Sequence, residues 1–335
     1  MSFEKNDFPG SSGSENGLIW GVDSSEGELH PFRGEALEAI PGPGGFRWLH
    51  MNLADERARR CITRSPALPA PVVELMLSAD DHPRAMMEGD YIGCVVPDLE
   101  RDFDEGQVQG IGALHFTLGP SLLITARRHP LRSADIIRDR LASGSPLNGP
   151  RAALELLIGA ITEVAGAMIG ELSESVETIE DELLARASIP QPREMMGLRR
   201  DAVRLRRLVG GLNAVFQRLE GDEALPNTLL PAIERIVQRL GGLDADIQTL
   251  QSQLRLVREE MDLLESKRTN QNLYVLSVLS ALLLPATLVT GIFGMNTGGL
   301  PWATSPHGTL AAMLLVIASA ALVYLLLRRF GLARR

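Results

Sequence analysis

The chain has 335 residues, with 33 Lys and Arg against 42 Asp and Glu, for a formal net charge of -9. That length holds one or two soluble domains and a membrane segment. The acidic balance argues against nucleic acid as a partner, and no nucleophile–base pair, phosphate-binding loop or dinucleotide fingerprint points to an enzyme.

Met1–Gly17 is polar, rich in Gly and Ser, and lacks the apolar stretch of a signal peptide, so it reads as a disordered N-terminus. From Leu18 to Leu141 short strands alternate with short helices. Leu18–Val22, Phe46–Asn52, Tyr91–Pro97, Ile111–Thr117 and Ser121–Ala126 are apolar or β-branched runs of strand length. Ala54–Thr63, Pro71–Ser78 and Leu131–Leu141 read as helices, with Asn52 and Ser133 as candidate caps. The turn-rich Ala142–Pro150 closes this α/β module, which spans 18–150.

Beyond it the strand signals stop. Ala152–Ala187 is one helical run, broken by Ile189-Pro190-Gln191-Pro192. Arg193–Leu219 is the second and is closed by Gly221 and Pro226, so residues 151–230 form a helical hairpin. A third run starts near Pro231, which suits a first helical turn, and meets no stop before Gly291. Gly241-Gly242 is tolerable within it, and Pro285 kinks it only locally. The spacing predicts a helix of about 60 residues over 231–293, roughly 90 Å long.

Its last part, Leu273–Phe293, and a second stretch, Gly308–Leu327, each carry about the 20 charge-free apolar residues that cross a bilayer. Lys267 and Arg268 precede the first span, and Arg328, Arg329, Arg334 and Arg335 form a basic tail, 328–335, after the second. The loop 294–307 has no Lys or Arg, so both termini are expected in the cytoplasm and the loop outside. Cys61 and Cys94 form no CxxC and suit a reducing compartment.

The long helix carries two rows. Leu243, Ile247, Leu250, Leu254, Val257, Met261 and Leu264 repeat at alternating four and three, an apolar seam for other helices. A second row, Ala245 to Gly291 at the same spacing, lies roughly opposite and is small and polar with leucines at intervals. Its membrane part holds Ser277, Ser280 and Thr287, whose hydroxyls either contact water or bond back to the i−4 carbonyl and pack against helices. The acidic row Glu171, Glu174, Glu177, Glu180, Asp181 and Glu182 is either a solvated face or a cation-collecting surface, and the stretch Arg199–Arg207 reads as a solvated face.

Phe293-Gly294-Met295-Asn296 ends the first of two C-terminal spans, after Pro285-Ala-Thr-Leu-Val-Thr-Gly291 and before a basic tail. In that combination the chain resembles the CorA superfamily of divalent-cation transporters. Within it, the continuation Thr297-Gly298-Gly299-Leu300-Pro301-Trp302 and the run Trp48-Leu49-His50-Met51-Asn52, followed by Arg57–Cys61, are most similar to the ZntB-type zinc transporters.

The resemblance implies an α+β membrane protein in the cytoplasmic (inner) membrane. A cytoplasmic α/β/α domain and a long stalk helix would run into the first of two transmembrane helices, in a CorA-like pentameric funnel. Five copies of the long helix would line the pore, placing Asn270, Leu273, Ser277, Ser280, Leu284, Thr287 and Gly291 toward the axis. Gly294, Met295 and Asn296 would form the selectivity motif, with Asn296 accepting hydrogen bonds from a hydrated metal ion; Asn296 also suits a helix C-cap. Leu273 and Leu284 would be apolar constrictions.

Neither span contains His, Cys, Asp or Glu, so no tight zinc site is legible in them. His30, His50, His82, His115 and His129 show no ligand spacing. Proton coupling would have to act at the mouths, through Glu259 and Glu265 inside or His307 outside. The expected cargo is a divalent cation, zinc before magnesium, with no cofactor and with the bilayer and a homopentamer as partners. A CorA-type magnesium, cobalt or nickel channel is the alternative, and a non-transporting two-span sensor or scaffold a further one.

Overall fold

The computed structural model describes residues 17–25, 28–32, 44–101, 110–185, 191–295, 301 and 307–329. The chain divides into two compact units, Met1–Val257 and Arg258–Arg335.

In the first unit seven strands form one mixed sheet. They are β1 (Leu18–Ser25), β2 (Glu28–Pro31), β3 (Phe46–Asn52), β4 (Arg84–Glu88), β5 (Tyr91–Leu99), β6 (Ile111–Leu118) and β7 (Leu122–Arg127), in the order β2-β1-β3-β7-β6-β5-β4. Only β3 and β7 pair parallel; every other neighbour is antiparallel. The expected strands all form. β2 and β4 are additional, and both are edge strands. β2 has four residues and ends on a proline, and β4 (RAMME) has no β-branched residue, so neither carries a strong strand signal. β4 turns into β5 through Gly89, whose φ of 56° suits the tight connection between paired Glu88 and Tyr91.

Successive residues of β3 point to opposite faces. Leu49 and Met51, with Ile124 and Ala126 of β7, join a core cluster with Ala58 and Ile62 of α1 (Glu56–Arg64) and Val72 and Met76 of α2 (Ala70–Leu77). Trp48, His50 and Thr125 alternate with these residues and form a buried polar knot. Arg127 Nε donates to His50 Nε2 at 3.1 Å, so the ring proton sits on Nδ1 and is donated to Thr125 Oγ1 at 2.9 Å. The same hydroxyl accepts from Trp48 Nε1 at 3.0 Å and lies 3.3 Å from the Leu49 carbonyl that takes its proton. Burial, aided by the Arg127 charge, pushes the His50 pKa down to about 3, which keeps the ring neutral.

Two capping expectations are corrected. Asp55, not Asn52, caps α1, accepting from the Arg57 amide at 2.9 Å, while Asn52 Oδ1 turns to the Ala54 amide at 3.0 Å. Ser133 lies inside α3 (Arg132–Ala142), whose N-cap is Leu131, and its hydroxyl donates to the Asp98 carboxylate of β5. Leucine has no acceptor for the helix start, and Asp98 supplies one from another element.

Asp98 also accepts from the Leu99 amide at 2.7 Å. Burial outweighs these hydrogen bonds and raises its pKa to about 6. The folded state therefore binds the proton more tightly than the unfolded chain, where an Asp titrates near pH 3.9. Stability from this group is fully present below about pH 4 and is lost as pH rises through about 6, by on the order of 3 kcal/mol. The difference in unfolding free energy between wild type and Asp98→Asn is expected to shrink over that range in a denaturant series; a constant difference would contradict the assignment.

Three long helices follow: α4 (Pro150–Leu184), α5 (Pro192–Glu220) and α6 (Leu230–Phe293). Proline at the first turn of α4 and α5 sets φ where an amide proton would lack a partner. α4 and α6 run in the same direction in this unit, with Arg235 paired to Glu155 and Gly166 near Leu243. α5 packs along β4 and β5.

The second unit holds the rest of α6 and α7 (Gly308–Arg329). α4, α6 and α7 are all long and apolar enough to cross a membrane. Most of the apolar stretch of α4 is buried inside the first unit, whereas no residue of the corresponding stretches of α6 and α7 is buried. α4 thus already has a protein environment for its leucines, and the other two require a further apolar one.

Candidate functional site

α6 separates its two rows. Of the seam, Ile247, Leu250, Leu254, Val257 and Met261 are buried and Leu243 and Leu264 half-buried. Along the other row Asn270, Leu273, Ser277, Ser280, Leu284, Thr287 and Gly291 are all exposed. Seven-residue spacing drifts about 20° per heptad on a straight helix, so these positions share one face about 100° wide. The partly covered residues of the same segment are Val278, Ala281, Leu282, Pro285, Ala286, Val289 and Phe293. They spread over an arc roughly opposite the row, from about 70° to 210° from its centre at 100° per residue.

The exposed face presents leucines and hydrogen-bond acceptors in turn. Leu273 and Leu284 are 55% and 67% exposed. Thr287 Oγ1 donates to the Leu284 carbonyl at 2.9 Å, and Thr290 Oγ1 to that of Ala286 at 3.1 Å. A hydroxyl whose proton is committed to the backbone keeps its lone pairs outward as acceptors. Thr290 offers a second such group one turn before the helix end, but about 110° around the axis from the centre of the row.

The helix closes at the motif. The Gly294 amide donates to the Thr290 carbonyl at 2.9 Å and the Met295 amide to that of Ile292 at 3.3 Å. A Cβ at Gly294 would stand 3.1 Å from the Thr290 oxygen, so the glycine permits a tight turn. Asn296, expected as the ion-facing residue, lies outside the described residues.

Glu259 continues the exposed row toward the N-terminal part of α6, while Glu265 sits roughly 90° off it; both are exposed. His307 is exposed at the start of α7, where its carbonyl accepts from the Ala311 amide at 3.1 Å.

No group of three or more His, Cys, Asp or Glu is placed to hold a metal ion among the described residues. Three of the other histidines have a local setting. His50 is in the polar knot, His82 Nδ1 lies 2.6 Å from Asp80, and His115 Nδ1 reaches the Leu75 carbonyl at 3.3 Å. Burial holds the His115 pKa below its usual value, against the pull of Asp81. Cys94 is buried, which pushes its thiol pKa up, and Cys61 is half-buried in α1.

Comparison with known proteins follows the same architecture. The family described as CorA-like Mg2+ transporter protein matches residues 43–329. The zinc transport protein ZntB of Pectobacterium carotovorum subsp. carotovorum (strain PC1) is 25% identical over 277 residues, covering 81% of this chain and 83% of the relative. ZntB of Cronobacter sakazakii (strain ATCC BAA-894) is 27% identical over 291 residues, covering 85% and 86%. Among solved structures, the full-length CmaX protein superposes with a TM-score of 0.78 at 21% identity, over 95% of this chain and 99% of that one. The complete CorA magnesium transporter from Methanocaldococcus jannaschii gives 0.74 at 18% identity, over 92% and 97%.

Proposed function

The chain belongs to the CorA-like Mg2+ transporter family, and from that premise we propose that it carries a divalent cation, zinc foremost, across the cytoplasmic membrane through a homopentameric pore. One observation carries this reading: the row Leu273, Ser277, Ser280, Leu284, Thr287 and Gly291, which gathers hydroxyls and leucines on one face of α6 in a stretch where most residues are exposed. A face with that many hydroxyls is a poor match for acyl chains and a good one for water. Five such faces around an axis would make a pore of alternating apolar and hydroxyl rings.

A hydrated divalent ion turns the O–H bonds of its shell outward, so its passage requires acceptors. Thr287 offers one on this face because its own proton goes to the helix backbone. Asn296 would close the outer end with a ring of amide oxygens, held at the turn that Gly294 and Met295 make. Ligands of this kind leave the shell in place, which spares the cost of dehydrating a small hard cation.

Zinc is favoured over magnesium because ZntB proteins match most of the chain at 25–27% identity. The alternative, a magnesium, cobalt or nickel channel, draws on the family description itself. The membrane potential suffices for inward flux, since two charges crossing 100 mV gain about 4.6 kcal/mol. If protons also move, Glu259, Glu265 and His307 at the mouths are their sites, because the spans hold no Asp, Glu, His, Lys or Arg.

Flux into proteoliposomes loaded with a metal-sensitive dye tests the reading. Zinc entry is expected to exceed magnesium entry and to rise with an imposed pH gradient. Neutral replacements at the three mouth residues should reduce that rise. Magnesium entry indifferent to pH would move the protein to the channel reading, and an unaltered pH effect in all three variants would remove the proton sites.

A further inference from the structure

α4 and α5 each carry a surface row that nothing in the single chain covers. On α4 the exposed positions Ala167, Gly170, Glu174, Glu177 and Asp181 repeat at alternating three and four. On α5 Met196, Arg200, Val203, Arg207, Gly210 and Ala214 do the same, all exposed, with Met196 at 70%. This is the spacing of a helix-packing seam, and each helix already has a different, buried face for its own unit.

The two rows are chemically opposite and ordered alike. Each has small residues in the half far from the α4–α5 connection and charges in the half near it. The charges are acidic on α4 and basic on α5. Glu174, Glu177, Asp181 and Arg207 make no ion pair among the described residues, and Arg200 meets only its neighbour Asp201 at 3.7 Å.

The glycines add an independent observation. Gly170 and Gly210 lie in mid-helix, where glycine costs about 1 kcal/mol relative to alanine, and a Cβ on either would meet nothing within 4 Å. Packing within the chain does not require them, whereas close approach of another helix would.

We infer that α4 of one chain packs antiparallel on α5 of the next copy of this chain, with Gly170 facing Gly210. That register sets Ala167 against Ala214, Glu174 against Arg207 and Asp181 against Arg200 without further adjustment. The patches differ, so the contact is heterologous and repeats around a closed ring, as a pore assembly needs. The inference rests on the homo-oligomeric reading above and adds to it the surface that joins neighbours outside the membrane.

The test uses the full chain in detergent with Ala167→Cys and Ala214→Cys together, under mild oxidation. Small residues let the two backbones approach to the Cα separation of about 5.5 Å that a disulfide needs. A thiol-reversible ladder of cross-linked species reaching the closed ring is expected, with no ladder from either single variant. Adding Arg207→Glu should lower the yield about fivefold, and Glu174→Arg should restore it. Absence of cross-links in a protein whose native mass remains oligomeric would overturn the interface and leave the oligomeric reading standing. A monomeric native mass would overturn both. A ladder that stops at dimers, or no rescue by the charge exchange, would overturn the proposed heterologous register.

Discussion

Asn296→Ala is expected to lower zinc entry into proteoliposomes by about a hundredfold or more while the native mass of the assembly stays the same. In a ring, one substitution deletes one amide per chain. Each hydrogen bond contributes about 0.5–1.5 kcal/mol net, so five lost together weaken ion capture by roughly 2.5–7.5 kcal/mol, and each 1.4 kcal/mol is tenfold. The residue follows Met295 directly in sequence, three positions beyond the last residue of α6, Phe293. The loss should therefore appear in flux and not in folding. Unchanged entry would remove Asn296 from the pathway and leave it the role of a helix cap.

Leu284→Asn is expected to act in the opposite direction, raising resting zinc entry about tenfold or more. A ring of leucines excludes water from a narrow pore and thereby excludes a hydrated ion; amides would hold that water in place. Leu284 is 67% exposed on the same face as Ser280 and Thr287, so substitution opens no cavity in a packed core. Leu282 lies on the partly covered side of the helix. Leu282→Asn should leave resting entry unchanged or reduce it through misassembly. Equal leak from both variants would mean that the effect is general destabilisation of the span and not an opened constriction.

Much of the first unit is legible in the sequence because its strands are strongly patterned. β3 and β7 are buried on both faces, with aliphatic residues on the α1–α2 side and large apolar residues flanking His50 and Thr125 on the other. β2 and β4 escape because edge strands of four and five residues carry little apolar pattern, although Gly89-Asp90 before Tyr91 was a usable hairpin signal. The cap of α1 is Asp55, directly before the helix, whereas α3 takes its acceptor from another element: Asp98 reaches it from β5, a contact that spans 35 residues.

Hydropathy by itself would have counted α4 as a third span, since its apolar stretch meets the same length and composition test as α6 and α7. The charges that interrupt its polar face, and the seam it offers, mark it as a packed helix. The candidate pathway shows both strengths and gaps of pattern reading. Seven-residue spacing defines a face of α6 that is exposed throughout, and the exposure extends to Val275, Leu279, Leu283 and Ile292 outside it. It passes over Thr290, because a hydroxyl one turn from the motif lies off the strict repeat while still offering an acceptor. The matched rows of α4 and α5 were visible only as charge runs; their meaning needs the exposure of Gly170 and Gly210, which no composition reveals.

The most direct test of a pore lined by this face of α6 is access of a membrane-impermeant cationic thiol reagent during zinc flux. Ser280→Cys and Leu282→Cys would be compared with the wild-type chain, whose Cys61 and Cys94 are half-buried and buried in the first unit. Rapid block of flux at position 280, with none at 282 or in the wild type, is the predicted result. Equal block at both positions, or block at 282 alone, would place the ion's path elsewhere.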